Sequence, residues 1–204
     1  MSLTIASYPV AEPITIEEAK NHLNIDLEYS DEDNLIESYI VAARTYCEQY
    51  LGYPLVRTAF NWSFNSFESS EIEMPVGRAI AINSITYVDT AQSPNVQTLS
   101  TDVYALDSGV NPPVLYLKYG QSWPSVRGGR NDITVNFASG FDDSGASPRD
   151  YDDQMPEAIK SAIKLILGEL WLIRERTTDI QTYKNDAADN LLMFYRSRST
   201  VCVV

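Results

Sequence analysis

The spacing of hydrophobic positions changes character twice along this chain, and the changes predict its elements. In "PITIEEAKNHLNID", residues 13–26, Ile16, Ala19 and Leu23 fall at three- and four-residue steps, the spacing of one helix face. Thr15 with Glu18 three residues later forms a capping box, and Ile14 stands at the staple position opposite Ala19. A helix of about two and a half turns is marginal alone in water, because nucleation costs more than so few hydrogen bonds return. It must therefore lie on a surface supplied elsewhere. A second helix, predicted from Asp31 or Glu32, places Ile36, Tyr39, Ile40, Ala43, Tyr46, Cys47 and Tyr50 on helical steps, and Gly52 and Pro54 end it.

From Leu55 the period becomes two. "AFNWSFNSF" alternates Phe60, Trp62 and Phe64 with Asn61, Ser63 and Asn65, and "NDITVNFAS" alternates Ile133, Val135 and Phe137 with Thr134 and Asn136. Between them "RAIAINSITYVDT", "NVQTL", "DVYALD" and "PVLYLKYG" are β-rich runs separated by turn residues. Helical spacing returns in "MPEAIKSAIKLILGELWLIRER", with Pro156 expected in its first turn and Arg174 and Arg176 at its C-terminal end. Ile159, Ile163, Ile166, Leu170 and Ile173 form one stripe of this helix. Ala158, Ala162, Leu165, Glu169 and Leu172 lie beside it and the apolar arc is wide, so contact on more than one side is expected. Gly168 within it suggests close approach of another backbone. A short helix, "DAADNLLMFYR", precedes the last residues "SRSTVCVV".

This order predicts an α+β fold: a small helical bundle of two N-terminal and two C-terminal helices with an inserted antiparallel β module of six or seven strands. The expected boundaries are 1–54 for the first helices, 55–140 for the β module, 141–196 for the closing helices and 197–204 for an extended docking tail. With 204 residues, the chain is long enough to bury roughly 70% of its unfolded surface.

Composition narrows the function. The chain is 44% hydrophobic and 21% charged, with no apolar run of about 18 residues that would span a bilayer. Its N-terminus lacks a basic segment followed by an apolar block, so no signal peptide is expected and folding in the cytoplasm is. Fifteen Lys and Arg against 28 Asp and Glu give a net charge of -13, which repels phosphate backbones and argues against tight nucleic-acid binding. Cys47 and Cys202 form neither a metal-ligand spacing nor a disulfide framework, and both are expected as free thiols.

Candidate chemistry is sparse. The single histidine, His22, has no nucleophile motif to serve, and neither "HExxH", paired "CxxC", a P-loop nor "GxGxxG" occurs. No catalytic residue, metal or cofactor is therefore expected. "VRGGR", with Arg127 and Arg130, reads as a hairpin loop or a rim contact, and alternatively as a phosphate cradle. Asp142 with Asp143, and Asp152 with Asp153, read as a solvated loop; a glycosidase would need such acids to face each other across a substrate. Phe60, Trp62 and Phe64 read as sheet core, with a sugar or base platform as the alternative. In the tail, Arg196 and Arg198 are basic in an acidic protein, and "TVCVV" is a β-prone pentamer whose apolar side chains call for a cover. Docking on another subunit by strand addition or groove insertion is the expectation, with a tail held within its own chain as the alternative.

Taken together, "PITIEEAKNHLNID", "DEDNLIESYIVAARTYCEQYLGYPL", "INSITYVDT", "NDITVNFASGF", "MPEAIKSAIKLILGELWLIRE" and "LLMFYR" resemble, in order and spacing, the head-to-tail connector (adaptor, or head-completion) proteins of tailed bacteriophages. The resemblance covers nearly the whole chain. It departs at Phe194, where the family often has proline before Tyr-Arg. It implies a long-form connector with an inserted β module, located in the virion neck and made in the cytoplasm of the host bacterium. It also implies a homo-oligomeric ring of about a dozen copies between the portal protein and a tail-completion or stopper protein, with DNA passing through unheld and no membrane contact. No active site is implied. The resemblance gives Arg196, Arg198, Val201, Cys202, Val203 and Val204 the task of docking on the portal. Trp123, Arg127 and Arg130 stand as candidate contacts between subunits. The rivals are another neck protein such as a tail terminator, a carboxylate glycosidase, and a carbohydrate-binding module using Trp62 or Trp123.

Overall fold

The structure, a computed structural model, describes residues 1–7, 11–91, 94–141, 154–173 and 186–198. It is α+β as expected, and its contacts separate two units. One comprises the described residues of Met1–Pro9, Gly52–Asp143 and Ser197–Val204; the other comprises those of Val10–Leu51 and Ser144–Arg196.

The β unit is built on strands β1 (Ser2–Ser7), β2 (Thr58–Phe64), β3 (Glu71–Glu73), β4 (Ala79–Val88), β5 (Val96–Thr98), β6 (Tyr104–Asp107), β7 (Val114–Leu117) and β8 (Ile133–Ser139). They form a five-stranded sheet in the order β1-β2-β8-β4-β5 and a three-stranded sheet in the order β3-β7-β6, with every pairing antiparallel. The alternation read from the sequence decides the core: β2 buries Phe60, Trp62 and Phe64, and in register with them β8 buries Phe137, Val135 and Ile133. Phe60 and Phe137 stack with centroids 5.5 Å apart. The other face is a polar ladder in which Asn83 donates to Asn136 and Asn136 to Asn61, each at 2.6 Å, with Ser63 and Thr134 hydroxyls 2.9 Å apart. Two strands, β1 and β3, were not expected. The expected boundary of 1–54 for the first helices does not hold for Ser2–Ser7, which pairs with β2 and belongs to the β unit.

The helical unit contains α1 (Ile16–Leu23), α2 (Asp33–Leu51), α3 (Glu157–Leu172) and α4 (Ala187–Leu192), followed by a 3-10 turn over Met193–Tyr195. Helices from before and after the β segment pack together: α3 lies against α1, α2 and α4. Thr15 caps α1 through the expected box, accepting from Glu18 N at 3.1 Å while Glu18 Oε2 accepts from Thr15 N at 2.9 Å. The staple residues Ile14 and Ala19 are 2% and 0% exposed. Glu18 also reaches Lys164 of α3 at 3.1 Å, so the capping carboxylate ties the short helix to its neighbour. The N-cap of α3 is Pro156, one residue outside the expected first turn, and Arg174 and Arg176 lie outside the described residues.

Gly168 corrects an expectation. Among the described residues, a Cβ added there would meet only the His22 imidazole, at 3.5 Å, which is ordinary contact rather than a backbone crossing. With no close neighbour to accommodate, Gly168→Ala should raise stability by about 0.5–1 kcal/mol, the usual helix-interior gain over glycine, read from the urea midpoint.

Candidate interface surfaces

In the helical unit the predicted stripes are only partly core. Ile36, Ile40, Ala43 and Cys47 of α2 and Ile159, Ala162, Ile163 and Leu167 of α3 are buried, whereas Tyr46, Ile166, Leu170 and Ile173, all read as stripe positions, line a groove of about 380 Å3 with Ala188 and Asp189. The Tyr46 hydroxyl donates to Asp189 Oδ1 at 2.9 Å. Leu165, Leu172, Met193 and Phe194 are exposed, Leu172 and Phe194 by 83% and 86%. Arg44 joins Glu12 and Glu48, each at 2.7 Å. Burial opposes its charge, but the hydrogen bond it donates to Glu12 and the field of Glu48 outweigh burial and hold the guanidinium above its ordinary range.

Cys47 is a buried free thiol. Burial foremost, then the charges of Glu48 and Asp189, push its pKa up to about 12 from the usual 9.0. The folded chain therefore keeps this proton where an unfolded one loses it. Its contribution to stability is complete below pH 9 and falls as pH rises toward 12, by at most about 1.4 kcal/mol per pH unit. Cys47 should accordingly stay unreactive toward a thiolate-seeking disulfide reagent at pH 8–9 in the folded protein and react at once in urea.

In the β unit, aromatic rings run from core to loop. Trp62 lies 4.6 Å from Phe64, Phe64 meets Phe67 edge-on at 5.7 Å, and Phe67 stacks flat on Trp123 at 4.3 Å. Trp123 also donates its indole N–H to the Ser69 carbonyl at 2.7 Å. With Trp62 buried and one face of Trp123 covered, the rings do not form the open platform that carbohydrate binding requires. The "VRGGR" loop is likewise closed as a phosphate cradle, because the Gly129 N–H is already donated to the Asp132 carboxylate. Arg127 and Arg130 are exposed.

The start of the tail is anchored. In the β unit, Ser197 Oγ lies 3.2 Å from Asn111 Oδ1, and the Arg198 N–H donates to the same oxygen at 3.3 Å. Ser197 sits on a surface made of glycine: a Cβ on Gly77 would come within 2.6 Å of Ser197 Cβ, and one on Gly52 within 3.7 Å. In the helical unit, Arg196 lies over the Tyr50 ring at 5.6 Å. Asn111 was invisible to sequence reasoning, since an asparagine before proline in a loop reads only as a turn. Val201, Cys202, Val203 and Val204 lie outside the described residues, as do Asp142, Asp143, Asp152 and Asp153. Among the described residues no group of three His, Cys, Asp or Glu side chains is placed to hold a metal ion, and no helix is long and apolar enough to cross a membrane.

Residues 13–104 match the model of the family described as "Phage gp6-like head-tail connector protein". The head-tail connector resemblance read from the sequence is thus borne out. The match spans α1 and α2 and continues through β5 to the first residue of β6, a little under half of the chain. Among solved structures, a chain in the neck of an empty gene transfer agent particle with C6 symmetry has a TM-score of 0.74 at 17% identity, covering 98% of both chains. A chain in the virion of a native gene transfer agent gives the same values. One in the native neck with C12 symmetry has a TM-score of 0.69 at 17% identity, again covering 98% of both. These likenesses show a fold shared along 98% of the chain. No curated protein matches it.

Proposed function

We propose that the protein is a non-enzymatic structural component of the neck of a tailed phage or phage-like particle. Copies form a ring between the portal and the tail-completion or stopper protein, and DNA passes through its centre. The family match over residues 13–104 carries this reading. The ring of about twelve copies is supported by the similar chain in a neck with C12 symmetry. A net charge of -13 suits a channel wall, because strong phosphate contacts would hold DNA that must slide. Arg196 and Arg198, with Val201, Cys202, Val203 and Val204, dock on the portal, while exposed Arg127 and Arg130, together with Trp123, meet the next subunit in the ring.

The test is the mass of the portal from the same genome, alone and mixed with this chain. The expected result is a gain of about twelve chain masses, as in the C12 neck, lost when Ser197–Val204 is deleted. No gain with the intact chain would overturn the connector reading. A full gain with the truncated chain would overturn the role of the tail.

A further inference from the structure

Two strands that end their respective sheets contribute to one cleft of the β unit. β1 is the outermost strand of the five-stranded sheet and β3 that of the three-stranded sheet. Met1, Ser2 and Leu3 from the first, and Glu71, Ile72 and Glu73 from the second, line a cleft of about 490 Å3 together with the aromatic rings of Trp62 and Phe64. A strand at the end of a sheet presents one backbone edge without a ladder partner, and an apolar crevice beside such an edge suits an added extended segment.

The chain brings a suitable segment to this place. Ser197 and Arg198 are fixed on Asn111, and the next residue, Pro112, itself lines the cleft. Residues 199–204 have a reach of about 20 Å when extended. The last five are Thr200, Val201, Cys202, Val203 and Val204, a strand-forming apolar run in which alternate side chains face opposite ways. Glu68, Glu71 and Glu73 line the cleft, a charge complementary to Arg198 at the start of the tail.

We propose that in the free protein the chain's own residues 200–204 dock in this cleft as an added strand. A tether of so few residues gives an effective concentration on the order of millimolar, which favours the chain's own tail over that of another copy. The docked state covers an apolar end until a partner claims it. It extends the neck reading by a stored state of the same tail; its test needs no portal, so either can fail without the other.

Cys202 provides the readout, since Cys47 is buried and inert. Ser2→Cys and Ser66→Cys each place a thiol on an exposed position lining the cleft, and Val96→Cys places one on β5, at the opposite edge of the five-stranded sheet. With oxidised glutathione accepting the two electrons and two protons, both cleft variants should form a Cys202 disulfide within one monomer. The rate should be about ten-fold or more above that of Val96→Cys, as expected for a tethered pair. Equal rates in all three variants would overturn the proposal. Covalent dimers in place of crosslinked monomers would also overturn it, in favour of docking on a second copy.

Discussion

Gly140→Ala should destabilise the protein by about 2–5 kcal/mol, seen as a lower urea midpoint, because the new methyl would have only backbone to displace. Gly140 has φ +128°, a conformation that side chains rarely adopt, and its Cβ would lie 2.7 Å from Arg57 N and Val56 C and 2.8 Å from Val56 O. None of these atoms can swing aside as a side-chain tip would. The residue is also clasped by Arg78, whose carbonyl accepts from Gly140 N at 3.3 Å and whose Nε donates to Gly140 O at 3.0 Å. The Arg78 guanidinium in turn covers the Phe141 ring at 3.7 Å. Gly120 is the control. Its φ is +75° but none of the described residues comes within 4 Å, so Gly120→Ala should cost only the conformational part, about 1–2 kcal/mol.

Lys20→Ala should cost about 2–4 kcal/mol, measured in the same way, because it removes two hydrogen bonds and an ion pair from a buried ammonium group. Lys20 is 3% exposed, and its Nζ lies 2.6 Å from Asp33 Oδ1, 2.8 Å from Tyr29 O and 3.3 Å from Leu27 O. One side chain thus satisfies two carbonyls of the α1–α2 connection and pairs with a carboxylate in the first turn of α2. Asp33 is 31% exposed, so water screens part of the loss and places it below that of a wholly buried pair. Lys20→Met separates charge from packing. It keeps the aliphatic stem and leaves the three acceptors bare, so it should lose nearly as much as alanine. Full stability in the methionine variant would show that the stem, rather than the ammonium group, holds this corner.

What the sequence determined was local or periodic. The capping box at Thr15 and Glu18 is legible because both partners sit within one turn, and the core faces of β2 and β8 are legible because period two survives in Phe60, Trp62, Phe64 and in Ile133, Val135, Phe137. The order of these elements also carried the connector resemblance. What tertiary structure decided depended on partners far along the chain. "SLTIAS" has only Leu3 and Ile5 in alternation and stands ahead of a helical segment, and its partner, Thr58–Phe64, lies more than fifty residues on. Lys20 reads as a solvent-facing lysine until the α1–α2 connection closes over it. Tyr46, Ile166 and Leu170 carry helical spacing, yet spacing records only which residues share a face, not whether another element covers it, and here that face borders a groove. The anchoring of Ser197 and Arg198 on Asn111 joins positions 86 and 87 residues apart, a contact that no local pattern encodes.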